Sequence, residues 1–318
     1  MRHRRRTPLS PLPQRNGIDA VRVRLPQTAE WDTVRSHLLT RLAAAGPATI
    51  DALIEKGGIV TEDGTPITAT TPFKPGAHIW FHREMPPEPP VPFPLKTIYR
   101  DAHILIADKP HFLATTPRGS HVTETALARL RRETGLETLS PAHRLDRLTA
   151  GLVLFVVRPE DRGRYQTLFR DRKVTKEYEA VARHAPNHRT PRTPLTIRSR
   201  IEKHRGTLTA QEIPHSEPNA ETTITLASTK GPLALYRLTP HTGRTHQLRV
   251  HMNSLGTPIL GDPLYPHITA PTAPDDYRRP LQLLARTLEF RDPLTNQEHR
   301  FVSDRTLGAW ESYETWAQ

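Results

Sequence analysis

A single acidic residue lies between two arginines at the point where the chain is about to enter an apolar strand. Residues 143–151 read HRLDRLTAG, and residues 152–157 after them are all apolar. The flanking arginines favour the ionised form of Asp146, and a strand end is a rigid support for a reactive group. The pattern predicts a catalytic carboxylate or, alternatively, an ion pair that pins a loop, which is the commoner case for such a motif taken alone.

A second polar segment, TGRTHQLRVH, occupies residues 242–251. Apolar side chains continue it at helical spacing, namely Leu248, Met252 and Leu255, so the segment predicts a helix. We expect Thr242 or Thr245 to cap the N-terminus of this helix and Gly256 to end it.

Two polar residues of this predicted helix, His246 and Arg249, share one edge and can therefore face the same site. His251 shares the apolar stripe, which favours a core histidine over a ligand. Because His241, His246 and His251 do not fall on one helical face, we predict no metal site here.

An aromatic residue in the segment KEYEAV, residues 176–181, could contact a nucleobase. In a strand, Tyr178 points to the same face as Ala180 and Ala182, which leaves open space around its ring. A flat ring beside small residues can stack on a base. A core tyrosine at a sheet edge fits the pattern equally well.

The overall charge favours a polyanionic partner. The 318 residues include 45 Lys and Arg against 33 Asp and Glu, a net charge of +12. Phosphate contacts by such a surplus release condensed counterions, although a solvated basic surface is the alternative. No apolar run approaches the roughly 20 residues of a membrane helix, so we expect no membrane partner.

The absence of cysteine excludes disulfides, thiol nucleophiles, cysteine-ligated zinc and iron–sulfur clusters. It fits a reducing compartment, and we expect a cytoplasmic protein. No glycine-rich phosphate loop is present either.

Proline-rich stretches divide the chain. We predict a disordered basic arm over residues 1–15, a small domain over 16–84, a linker over 85–96 and a larger domain over 97–318. The small domain reads as two helices, a hairpin with an Asp63-Gly64 turn and a closing strand. This order resembles the alpha-L RNA-binding module, and a small packing domain is the alternative.

The larger domain predicts an α+β fold. Buried or half-buried strands, expected near 104–107, 152–157, 177–182, 222–227, 233–238 and 281–290, alternate irregularly with helices. Because the order is not a strict βαβ repeat, we expect a mixed, mostly antiparallel bent sheet with flanking helices.

Four segments of the larger domain resemble the motifs of the RluA family of pseudouridine synthases, and they occur in the family's order. They are DKPHFLATTPRG at 108–119, HRLDRLTAGLVLF at 143–155, KEYEAV at 176–181 and TGRTHQLRVHMNSLGTPILGDPLY at 242–265. The resemblance covers residues 97–292. It implies the pseudouridine synthase fold and a monomeric, cofactor-free isomerase that converts uridine to pseudouridine in structured RNA.

The resemblance also assigns roles to residues. Asp146 would be the catalytic carboxylate, Arg249 the basic partner that holds it and Tyr178 the ring that packs on the target base. The base would be flipped out of its stack to reach them. Asp146 would then assist departure of uracil, either through a covalent adduct or by deprotonating the sugar.

Three further residues would bind the substrate. Arg144 would help to extrude the base and fill the gap that it leaves, while Arg244 and His246 would support the pocket. The chain departs from the family pattern at Ala150, where a serine is usual, and at Phe112, where a glycine is expected. Leu284 replaces a histidine. We expect the Phe112 loop to border the entry groove and so to influence which RNA is bound.

Large-subunit ribosomal RNA is the expected substrate, because an appended RNA-binding module suits a large structured RNA, and transfer RNA is the alternative. A non-catalytic RNA-binding or ribosome-assembly factor is a competing class. The loss of Asp146, Tyr178 or Arg249 would support it, but all three residues are present. A nucleoside hydrolase is another competing class, yet glycoside hydrolases generally need two cooperating carboxylates, and the motifs supply one.

Overall fold

A computed structural model of the chain describes residues 10–28, 30–84, 87–184, 193–269 and 276–318. Backbone contacts divide the chain into two compact units, Met1–Glu88 and Pro89–Gln318. Residues 1–9, most of the predicted basic arm, lie outside the described part. The division falls inside the predicted linker, and the second half of that linker packs on the larger unit, where Arg129 donates hydrogen bonds to the carbonyls of Val91 and Phe93.

The smaller unit is a three-stranded antiparallel sheet with two helices. Its elements are β1 (Val21–Arg24), α1 (Val34–Arg41), α2 (Pro47–Glu55), β2 (Ile59–Thr61) and β3 (His78–Phe81), with strand order β1-β3-β2. The Thr33 side chain caps α1, and Pro47 at the first turn of α2 is compatible with a helix start. Ile50, Ile59 and Ile79 meet in its core.

The larger unit is built on one mixed sheet. Its strands are β4 (Lys96–Arg100), β5 (Ile104–Lys109), β6 (Ser140–Pro141), β7 (Ala150–Val156), β8 (Val174–Arg183), β9 (Leu195–Glu202), β10 (Gln211–Ile213), β11 (Ala220–Lys230), β12 (Leu233–Pro240), β13 (Leu283–Arg291) and β14 (Glu298–Val302). Its helices are α3 (Ala126–Thr134), α4 (Arg162–Arg170), α5 (Gln247–Ser254), α6 (Gly308–Glu311) and α7 (Tyr313–Ala317).

In the described residues the strands follow the order β10-β9-β11-β12-β8-β13-β7-β5-β4, with β14 on β13 and β6 on β7. All of these pairs are antiparallel except β13 with β7. The expected α+β class and mostly antiparallel sheet are confirmed. Among the described helices, none has both the length and the apolar character needed to span a bilayer.

The parallel contact between β7 and β13 depends on a glycine. Gly151 pairs with Ala285 and has φ of 112°, a backbone conformation that residues other than glycine rarely adopt. A Cβ at this position would lie 2.2 Å from the Ala285 carbonyl oxygen. The close approach brings the loop that precedes β7, which carries Asp146, beside β13 and β8.

Candidate active site

All six residues predicted for the site line one pocket of the larger unit. The pocket has a volume of about 850 Å³ and is formed by the loop before β7, strand β8 and the N-terminal end of α5. The predicted residues that line it are Asp146, Tyr178, Arg249, Arg144, Arg244 and His246. Segments far apart in the sequence therefore meet as the motifs predicted, in a cavity of the size that binds small ligands.

Asp146 is held by its loop, and its side chain remains 26% exposed. The preceding residue is fixed from both sides, because the Thr115 hydroxyl donates to the Leu145 carbonyl and accepts from the Leu145 amide. The Thr149 amide donates to the Asp146 carbonyl at 3.1 Å and closes a turn. The carboxylate is therefore accessible from the pocket while its backbone is fixed.

A buried lysine, Lys109, stabilises the same loop through hydrogen bonds to backbone carbonyls. Lys109 Nζ donates to the carbonyls of Pro110 at 2.9 Å, Leu113 at 2.8 Å and Arg147 at 3.3 Å. Burial lowers the pKa of Lys109 to about 7, and the Asp146 charge opposes that shift. The lysine of the DKP motif, to which we assigned no role, thus ties the loop after β5 to the residue that follows Asp146.

Arg249 contacts two carboxylates rather than one. Its Nε and Nη2 donate to Asp262 Oδ2 and Oδ1 at 2.7 and 2.6 Å, while Nη1 lies 3.7 Å from Asp146 Oδ2. Arg249 is therefore the basic partner of Asp146, as predicted, but its two-pronged hydrogen bond goes to Asp262. Burial opposes the charge of Arg249, but the hydrogen bonds to Asp262 and the charges of Asp262 and Asp146 together raise the pKa of Arg249.

Asp262 was missed by the sequence analysis although it lies inside the longest motif. Its side chain is fully buried, and besides Arg249 it accepts hydrogen bonds from the backbone amides of Leu264 and Tyr265. A fully satisfied buried carboxylate of this kind fixes the orientation of its partner. Asp262 therefore positions Arg249 beside Asp146.

His246 is the second group that faces the carboxylate, with Nε2 4.0 Å from Asp146 Oδ2. Its Nδ1 lies 3.0 Å from the Tyr265 hydroxyl. That hydroxyl donates to the Ala210 carbonyl and accepts from the Ala210 amide, so the proton between the two rings belongs to Nδ1. Burial lowers the pKa of His246 to about 4 against the opposing effect of Asp146. The ring is therefore neutral, with an acceptor nitrogen beside Asp146.

The start of α5 differs from the prediction. His246, at φ of 58°, precedes the first residue of the helix, and neither threonine caps it. The Thr242 hydroxyl instead donates to Gln247 Oε1 and accepts from the Glu221 amide. The left-handed conformation turns the His246 ring towards the pocket. The end of the helix is as predicted, since Gly256 adopts φ of 74°.

Two other predictions concern single side chains. Tyr178 lies on β8, is largely buried and still lines the pocket. Burial and the nearby Asp146 charge raise its pKa, so the ring is neutral. His251 is a fully buried core residue, as predicted, with its ring nitrogens bonded to Ser199 and Thr222.

The two arginines predicted to bind the substrate both line the pocket. Arg144 and Arg244 are exposed, and Arg244 Nε donates to the carbonyl of Asn219 at 3.1 Å. Within the described part of the chain, His, Asp and Glu side chains form no cluster of three that could hold a metal ion.

Phe112 occupies a position where a glycine is conformationally favoured, with φ of 63°. Its ring packs against Phe93 and Tyr277, with centroid separations of 6.3 and 5.1 Å, and the Arg147 guanidinium lies 5.9 Å above it. Phe112 is only 7% exposed and does not line the pocket. Its packing steadies Arg147, the residue next to Asp146, and the expectation that the Phe112 loop borders the entry groove stays a prediction.

Comparison with known proteins gives a consistent result. The family model described as RNA pseudouridylate synthase matches residues 103–254, a stretch that contains Asp146, Tyr178 and Arg249. The chain is 32% identical over 220 residues to the dual-specificity RNA pseudouridine synthase RluA of Pasteurella multocida, covering 66% of this chain and 92% of the relative.

A second relative is the mitochondrial tRNA pseudouridine(32) synthase of Saccharomyces cerevisiae, 31% identical over 183 residues, or 56% of this chain. The chain spans only 38% of the length of that protein, and 32% of the human pseudouridylate synthase RPUSD2. Among solved structures, human RNA pseudouridylate synthase domain containing 4 superposes with a TM-score of 0.53 at 25% identity, covering 70% of this chain and 92% of that one.

The family-model match falls within the larger unit, where the pocket lies, and the Pasteurella relative is covered almost from end to end. The matched stretch of the family model ends just before the turn that supplies Asp262. Since both the sequence and the fold of the larger unit agree with this one group of isomerases, the chain belongs to the RluA family of RNA pseudouridine synthases.

Proposed function

We propose that this protein isomerises selected uridines to pseudouridine in structured RNA, with large-subunit ribosomal RNA as the first substrate candidate. One observation supports it most: an accessible carboxylate, Asp146, lies in a pocket with a neutral tyrosine and a buried arginine 3.7 Å away. The net positive charge of the larger unit also supports an RNA substrate, since residues 89–318 hold 33 Lys and Arg against 24 Asp and Glu. Such a surplus favours binding to a phosphate backbone.

The reaction breaks the bond between uracil N1 and C1′ and forms a bond between C5 and C1′. A proton leaves C5 and N1 gains one, so substrate and product contain the same atoms and no co-reactant is consumed. The base must leave its helix to enter the pocket. There Tyr178 packs on the ring, and the Asp146 carboxyl group, close to Arg249, acts on the ribose as uracil departs.

A hydrolase would need a second carboxylate able to deliver or take a proton. The structure does contain a second carboxylate near the site, that of Asp262. It is fully buried, and Arg249 and two backbone amides occupy its oxygens. Asp262 therefore has no access to a substrate, which favours the isomerase over the hydrolase.

Transfer RNA is the second substrate candidate. The yeast relative is named a tRNA synthase and the Pasteurella relative a dual-specificity enzyme. The presence of a smaller appended unit favours a large structured RNA as substrate. The charge of that unit gives no such support, because residues 10–84 hold eight basic and eight acidic side chains. The excess positive charge of the N-terminal region comes from the four arginines in residues 1–9.

Pseudouridine mapping of total RNA from cells with and without the gene tests the proposal. We expect one or a few uridines of large-subunit ribosomal RNA to lose their modification in the deletion strain, and to regain it with the wild-type gene but not with Asp146→Asn. Loss confined to transfer RNA would select the second candidate. An identical map in both strains would contradict the proposed activity.

A further inference from the structure

Strand β8 presents a cation to the pocket as well as Tyr178. Side chains two apart on a strand share a face and lie about 6.6 Å apart along it, and both Lys176 and Tyr178 line the pocket. The residue between them points the other way, where the Glu177 carboxylate lies 3.2 Å from Arg237 Nε. Lys176 therefore faces the same space as the ring proposed to hold the base.

This lysine lacks a partner. Across the described residues, Lys176 Nζ makes neither a hydrogen bond nor an ion pair, and burial lowers the pKa of Lys176. Two other cations are engaged: Lys109 donates to three carbonyls, and Arg170 pairs with Asp171 at 2.8 Å. Because a largely desolvated charge is normally paired, an unpaired ammonium on a pocket wall suggests that its partner arrives with the substrate.

The surroundings of Lys176 favour an anion as that partner. Of the described residues that line the pocket, Asp146 is the one carboxylate. Burial first, and then the Lys176 charge, lower the pKa of the neighbouring His143 to about 3, so that ring is neutral. Arg144 and Arg172 also line the pocket, are exposed and make no ion pair in the described part of the chain. This end of the pocket is thus positively charged and uncompensated.

We infer that Lys176 binds a phosphate oxygen of the target nucleotide from inside the pocket, while Tyr178 packs on its base. The inference rests on the proposed function, because it places a flipped nucleotide in this pocket. A nucleotide whose base lies on Tyr178 carries its phosphate one sugar away, a distance comparable to the separation of the two side chains on β8. Arg172, which also lines the pocket, then lies beside the neighbouring phosphate backbone.

Salt-dependent RNA binding tests the contact directly. The probe is an unmodified large-subunit ribosomal RNA transcript or, if the wild-type protein modifies transfer RNA instead, an unmodified transfer RNA transcript. We expect Lys176→Met to reduce the slope of log K against log salt by about 0.7 to 0.9, the contribution of one phosphate. Lys176→Arg should retain the slope. The matched control is Lys173→Met, an exposed lysine outside the pocket, which should bind as the wild type does.

An unchanged slope for Lys176→Met would overturn the phosphate contact, whether or not turnover falls; a fall in turnover alone would assign the lysine to the base. Thermal unfolding of each variant separates a folding defect from a lost contact. Since binding is measured without turnover, a wild-type protein that binds the transcripts but modifies none would refute the proposed function and leave the Lys176 result readable. Equal slope losses for Lys176→Met and Lys173→Met would also overturn the inference, because a general surface field would then explain both.

Discussion

The guanidinium of Arg249 links two carboxylates, with a two-pronged hydrogen bond to Asp262 and its third nitrogen 3.7 Å from Asp146. Asp262 and Arg249 are both buried, whereas Asp146 is partly exposed. The buried pair therefore fixes the position of a positive charge beside the Asp146 carboxylate, which stays partly exposed to the pocket.

Removing the charge of Asp262 should affect both stability and catalysis. Asp262→Asn removes the carboxylate that is hydrogen-bonded to the buried Arg249 and leaves it the more distant Asp146, 3.7 Å away. We expect this loss to lower the free energy of unfolding by about 3 kcal/mol. A guanidinium displaced by an ångström should reduce turnover by up to about a hundredfold. Chemical denaturation and single-turnover assays below the melting temperature measure the two effects. Asp276→Asn, which breaks an exposed pair with Arg278, should change neither; wild-type turnover in Asp262→Asn would show that the pair does not position the site.

The tautomer of His246 can be observed directly. Nitrogen-15 NMR of histidine-labelled protein at pH 7 should show Nδ1 protonated and Nε2 unprotonated, with the signal assigned by its absence in His246→Gln. Tyr265→Phe removes the hydroxyl that fixes this state and should shift the signal towards the Nε2–H form. A protonated Nε2 in the wild type would contradict the hydrogen-bond assignment.

The same histidine makes a signed contribution to stability against pH. Its folded pKa is about 4, below the ordinary value of about 6.5, so between these values the unfolded chain binds more protons. The contribution is present above pH 6.5 and is lost as pH falls towards 4. Urea unfolding from pH 7 to 4 should therefore show a shallower loss for His246→Gln than for the wild type. Parallel curves would mean that the ring is protonated equally in both states.

The close approach at Gly151 predicts a large effect from a single methyl group. Gly151→Ala places a Cβ 2.2 Å from the Ala285 carbonyl at positive φ and should cost about 3 kcal/mol or more. Gly163→Ala in α4 is the control, because nothing lies within 4 Å of the added atom; the helix should gain up to about 1 kcal/mol. Equal melting temperatures for the two variants would contradict this view of the β7–β13 contact.

Much of the site followed from local sequence. Asp146, His246 and Arg249 lie in segments whose pattern predicts their element and face, and the structure brings them together. Asp262 did not follow, because its role depends on the turn at Gly261, where an added Cβ would lie 2.6 Å from the Pro280 carbonyl. A contact with a segment this far along the chain leaves no local pattern. The prediction that a threonine caps α5 was wrong for a similar reason, since the Thr242 hydroxyl accepts a hydrogen bond from the Glu221 amide on strand β11.

The fold shows the same division. Strands with a continuous run of apolar residues, such as β5 and β7, were predicted with bounds close to the observed ones. Strand β9 reads LTIRSRIE and is half exposed, so its hydrophobic signal is weak, and short β10 gives none. The RNA-binding role of the smaller unit, the monomeric state and the cytoplasmic location stay predictions.

Asp146→Asn tests the central claim most directly. The amide keeps the shape of the side chain and removes its charge and basicity, so RNA affinity should be retained while tritium release from C5-labelled uridine RNA falls by many orders of magnitude. Equilibrium binding of the same RNA to wild type and variant provides the control. Release within about tenfold of the wild-type rate, with binding unchanged, would contradict the assignment of Asp146 as the catalytic carboxylate.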